Sequence, residues 1–87
     1  MEDFVAIDFE TTDYRDGRVN EPWQLGYVRV ERGEVVERRE WFFRTDARYI
    51  PETPPATFPS PDGDTSQLSE NFLEQWEELY GALAGRL

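Results

Sequence analysis

Residues 3–10 read DFVAIDFE, with apolar side chains on both alternating sets, Phe4 and Ala6 on one and Val5, Ile7 and Phe9 on the other. Such a run suits a strand covered on both faces. The stretch TTDYRDGRVNEP that follows is polar and holds a Gly and a Pro, which predicts a loop. Residues 23–31 return to strand character, with Leu25, Tyr27 and Arg29 on one face and Gln24, Gly26, Val28 and Val30 on the other. Glu31-Arg32-Gly33-Glu34 then predicts a hairpin turn into a third strand over 35–44, which carries charges in its middle and Trp41, Phe42 and Phe43 near its end.

The next segment, PETPPATFPSPDGD, holds five of the six prolines and predicts a long loop or lid. Beyond it Leu68, Phe72, Trp76, Leu79 and Leu83 recur at helical spacing, with Leu73 and Tyr80 widening the stripe. The spacing predicts an amphipathic helix over 66–85, capped by Ser66 or Ser69 and weakened towards its end by Gly81 and Gly85. Trp76 lies on the stripe and is expected in the core, and for the run Trp41-Phe42-Phe43 packing in the core or against a missing half is expected ahead of stacking on single-stranded bases. The resulting order is β-β-β-α: an α/β single domain over 1–87, with a three-stranded antiparallel meander over 3–44, a Pro-rich loop over 45–65 and one C-terminal amphipathic helix.

Composition narrows the functional classes. A chain of 87 residues buries only roughly 60 to 65 % of its unfolded surface on folding, so stability is expected to be marginal. Its net charge is −10 and all nine basic residues are arginines, with no basic stripe of the kind that follows a phosphate backbone. Any contact with nucleic acid therefore needs bound cations to reverse the local charge. Without Cys or His there is no disulfide framework and no zinc site of the usual kind, which leaves hard, oxygen-liganded cations. No stretch approaches the roughly 20 apolar residues of a membrane span, and a soluble cytoplasmic location is the expectation.

Asp8 and Glu10 stand two apart at the end of an apolar strand, so their side chains point to one face with Cα atoms roughly 6.5 to 7 Å apart. Two carboxylates that leave a hydrophobic strand together repel each other, and a divalent cation between them removes that cost. Mg²⁺ or Mn²⁺ suits an oxygen-only donor set. A plain solvated strand end is the alternative.

The string FVAIDFETT, an apolar strand running into Asp-Phe-Glu-Thr-Thr, resembles the first motif of the DEDD 3′-to-5′ exonucleases, a family that includes the epsilon proofreading subunits and ribonuclease T. Gln24-Leu25-Gly26, Val28-Arg29-Val30 and Gly33-Glu34-Val35-Val36 resemble that family's second and third strands. The resemblance covers residues 3–44 and, more loosely, the helix. It implies a ribonuclease-H-like sheet and two-metal phosphodiester hydrolysis at the 3′ end of a nucleic acid strand. Asp8 would be shared between the metals, and Glu10 would bind one of them and orient the attacking water. Thr11 would either hydrogen-bond the terminal nucleotide or stabilise the turn after the strand.

The family also uses two further aspartates and a His or Tyr general base, in motifs that do not occur in these 87 residues. The resemblance thus implies an amino-terminal portion with half of the metal site, probed alone expected to be weakly active or inactive. Asp62 and Asp64 sit in the Pro-Gly loop and are expected to be ordinary turn residues. An uncovered sheet edge and helix face would favour self-association or a complementing protein, and the competing function is a non-catalytic protein-interaction module on the same scaffold.

Overall fold

The computed structural model describes residues 3–60 and 62–84. Its elements are β1 (Phe4–Thr11), β2 (Pro22–Glu31), β3 (Glu34–Phe42), a single 3₁₀ turn at Thr65–Gln67 and the helix α1 (Trp76–Leu83). The three strands form one antiparallel sheet in the order β1-β2-β3, as the alternation predicts. Arg32 and Gly33 both take positive φ, 54° and 79°, in the two-residue connection between β2 and β3. Positive φ at both central positions is the type I′ geometry, whose twist matches that of the flanking strands.

Register places side chains on two faces. Phe9, Leu25 and Trp41 lie opposite one another, as do Ile7, Tyr27 and Arg39, and this set faces α1. Asp8, Gly26 and Glu40 lie on the other face, with Ala6, Val28 and Arg38 beside them. Leu25, Tyr27, Trp41, Phe43, Leu79 and Ala82 make the core, and Val5, Phe72 and Leu83 pack against it. The helix is held over the sheet by more than apolar contact. Arg39 stacks on the Trp41 ring and pairs with Glu78 at 2.7 Å, and the Gln75 amide donates to the Phe42 carbonyl at 2.8 Å.

The structure corrects three expectations. First, β1 is an edge strand, and its burial pattern is exposed at every position but Val5. Its two-sided apolar sequence is suited to a covered strand, but only β2 pairs with it among the described residues. Second, the continuous helix over 66–85 is replaced by the 3₁₀ turn, a tight-turn segment and the eight-residue α1. The reason lies just beyond β3: Arg44 draws the carbonyls of Glu70 (to its N–H, 2.6 Å) and Ser69 (to its guanidinium, 2.7 Å) away from any helical partner. A new start follows at Asn71, whose side chain accepts from Glu74 N–H while Glu74 accepts from Asn71 N–H, a reciprocal capping box. Asp64, rather than Ser66 or Ser69, caps the 3₁₀ turn. Gly85, expected in the helix, lies outside the described residues.

Third, Trp76 is 47 % exposed and Tyr80 60 %. The three-stranded sheet is narrower than the stripe, so α1 buries Leu79 and Ala82 while Trp76 and Tyr80 continue an aromatic row that begins at Phe9 and Phe72 beyond the β1 side of the core. Trp23 and Trp41 are buried, at 4 % and 5 % exposure, and Trp41 belongs to the core. Urea unfolding should separate the two helix positions: Leu79→Ala should cost about 2 to 5 kcal/mol, whereas Trp76→Ala should cost about 1 kcal/mol or less.

Candidate functional site

The end of β1 is shaped by a bulge. Glu10 pairs with Gln24 but Thr11 pairs with Pro22, so Trp23 is the extra residue on β2 and its indole N–H reaches the Thr11 carbonyl at 3.3 Å. Bulges bend a strand and redirect the chain beyond them. Here β1 passes into a loop closed at once by Thr12, whose N–H donates to the Glu21 carbonyl (2.8 Å) and whose hydroxyl accepts from Glu21 N–H (2.9 Å). The turn-stabilising role open to Thr11 therefore belongs to buried Thr12. Thr11 keeps an exposed side chain.

Asp8 and Glu10 project from the same face, opposite Gly26 and Gln24. Both are exposed, and no arginine engages either carboxylate among the described residues. They border different hollows. Asp8 flanks a shallow basin of about 490 Å³ floored by Gly26 and Ala6, whose small side chains leave the space. Glu10 and Thr11 line a groove of about 580 Å³ shared with Asp13, Tyr49, Glu52 and Pro51. Among the described residues no group of three or more Asp, Glu, His or Cys side chains is arranged to hold a metal ion. Asp8 and Glu10 share a face of β1, while Glu40 lines the hollow of Asp8, and Asp13 and Glu52 line that of Glu10.

The far wall of the groove comes from the Pro-rich loop. Its position depends on a buried polar knot: the Thr45 and Thr65 hydroxyls meet at 2.8 Å, Thr65 N–H donates to the Tyr49 carbonyl at 2.9 Å, and Arg48 pairs with buried Asp64 at 2.9 Å. Tyr49 is also fixed edge-on against Tyr14, whose hydroxyl bonds the Ala47 carbonyl. On the opposite face of the sheet from α1, Phe58 packs edge-on against Phe42 and Trp23. Asp13, Tyr49 and Glu52 are site residues that pattern reading did not identify. The one cue is that Tyr49 stands two residues before the PETPP run.

Electrostatically the groove is negative. Burial pushes the Tyr49 phenol upward, and the carboxylates of Asp13, Glu52 and Glu10 push it the same way. The Asp13–Arg15 pair at its rim is well exposed and contributes little stability. Asp62 and Asp64 differ: Asp62 is exposed, whereas Asp64 is a buried cap rather than an ordinary turn residue. No helix among the described residues is long and apolar enough to cross a membrane. In comparisons with protein-family models, curated proteins and solved structures, nothing matches this chain.

The Ser66 hydroxyl holds the Asp64 carboxyl below the usual carboxylate range, helped by Ser66 N–H and the Arg48 guanidinium and opposed by burial. A depressed folded value means that the stabilisation is complete above the unfolded value of about 3.9 and is lost as pH falls through the lower folded value. Thermal unfolding across acidic pH should therefore show wild-type stability falling below about pH 4. Asp64→Asn should be less stable near neutrality and flatter across that window.

Proposed function

We propose that this chain carries the first acidic motif of a DEDD-type 3′-to-5′ exonuclease on a ribonuclease-H-like sheet, and that Asp8 and Glu10 supply half of a two-metal site for phosphodiester hydrolysis. The observation that carries the reading is the placement of the two carboxylates. They share one face at the end of β1, stay unpaired with arginine among the described residues, and stand beside the exposed Thr11. The string FVAIDFETT supports it independently of geometry.

The donor set suits a hard divalent cation. Mg²⁺ keeps several waters and takes one or two carboxylates together with substrate phosphates, so two protein ligands are a sufficient contribution from one strand. When bound, a metal pair supplies charge neutralisation and a water of lowered pKa for attack on phosphorus. By the family resemblance, Asp8 and Glu10 would hold the metals, Asp8 as the ligand common to both and Glu10 as a ligand to one that also orients the attacking water. Thr11 hydrogen-bonds the 3′ terminus from the mouth of the groove. Cations are also what let a chain of net charge −10 approach a nucleic acid. Hydrolysis is expected only when the remaining ligands are supplied.

Isothermal titration of Mn²⁺ tests the assignment. Wild-type protein should bind, Asp8→Ala and Glu10→Ala should each lose binding, and Asp62→Ala, at an exposed acid in the Pro-rich loop, should retain it. Equal Mn²⁺ binding by the wild type and the two site variants would overturn the assignment.

A further inference from the structure

The outer edge of β1 is built to take a fourth strand, and its chemistry specifies which kind. The Phe43 N–H donates to the Trp23 carbonyl at 2.9 Å, so the odd-numbered residues of β2 turn their backbone groups towards β3 and the even-numbered ones turn theirs towards β1. Through the β1–β2 register, Phe4, Ala6, Asp8 and Glu10 therefore spend their backbone groups on β2. Val5, Ile7 and Phe9 point their N–H and C=O groups outward, where no strand pairs with them among the described residues. Natural edges are usually blunted by prolines, inward lysines or short length. This one is eight residues long, has neither Pro nor Lys, and exposes Phe4 by 49 %, Ile7 by 40 % and Phe9 by 41 %.

The two faces beside this edge differ. On the α1 side, Ile7 and Phe9 run into the row Phe72–Trp76–Tyr80, with successive rings from Phe9 onward 6.1, 5.8 and 6.0 Å apart. On the other side the edge presents Asp8 and Glu10, unpaired with arginine among the described residues. An added strand places its side chains alternately on these faces, one set on aromatic surface and the next beside carboxylates. We propose that β1 binds a partner protein by strand addition, and that the bound segment alternates apolar with basic residues. A second copy of the chain fits less well, because pairing β1 with itself brings two Asp8–Glu10 pairs onto one face between bodies of net charge −10 each. The inference uses the backbone of Val5, Ile7 and Phe9 and does not rest on metal binding at the acidic pair.

Two capped synthetic peptides of equal length, one alternating Val with Lys and the other Val with Glu, test the proposal by titration against the full chain. The Val/Lys peptide should bind about tenfold more tightly, as a few favourable cross-strand charge pairs imply. Amide hydrogen exchange should show Val5, Ile7 and Phe9 gaining protection with that peptide, while Ala6 and Asp8, already bonded to β2, change little. Ile7→Pro removes only an outward donor and should abolish binding with the sheet retained by circular dichroism. Ile7→Ala should bind more weakly without abolishing it. Equal affinity for the two peptides would overturn the proposal, as would protection appearing elsewhere than at the three outward amides. A wild-type dimer in light scattering whose β1 amides are already protected would overturn it in favour of self-pairing. The exchange readout uses unmodified protein, so it decides the matter even where Ile7→Pro does not fold.

Discussion

Everything in this molecule depends on β2 being hydrogen-bonded on both sides. As the middle strand it turns Leu25 and Tyr27 to one face, where they are 0 % and 1 % exposed, and α1 packs over them through Leu79 and Ala82. The neighbouring strands inherit their registers from it, including the bulge at Trp23 that ends β1. A one-residue slip of β2 would carry Leu25 and Tyr27 to the face of Asp8 and Glu40, which is why burial alternates residue by residue from Pro22 to Tyr27.

The same constraint explains an uneven distribution of burial. β3 is secured by the hairpin on one side, and at its end by Arg44, Phe43 and the Gln75 amide. β1 has only β2. With three strands the sheet is too narrow for the whole apolar stripe of the C-terminal segment, and the Cα radius of gyration of 14.4 Å exceeds the roughly 12 Å of a compact chain of this length. The surplus apolar surface gathers along one line, from Ile7 and Phe9 to Trp76 and Tyr80. The proposed nuclease pair and the proposed docking edge are two faces of this single under-covered strand.

The Pro-rich loop is held by a different kind of force. Prolines limit its conformations, but what places Tyr49 against the groove is a set of polar contacts, the buried Thr45–Thr65 pair and the ion pair of exposed Arg48 with buried Asp64, and no buried side-chain polar atom lacks a partner among the described residues. These contacts join residues 16 to 20 positions apart, and their energy comes from satisfying groups that the loop has removed from water.

Local pattern in the amino-acid sequence by itself determined the three strands, their antiparallel meander, the two faces of β2, the turn at Arg32-Gly33 and the shared face of Asp8 and Glu10. Each follows from a period-two alternation or from a backbone preference confined to a few neighbouring residues. Tertiary structure alone decided that β1 is bare on its outer edge, because apolar residues on both faces say what a strand can pack against and not whether a neighbour is there. It also decided where the helix begins, since Arg44, just past the end of β3, takes the carbonyls of Ser69 and Glu70, and that Asp13, Tyr49 and Glu52 stand around Glu10. Those outcomes depend on contacts between residues far apart in the chain, to which helical or strand periodicity is blind.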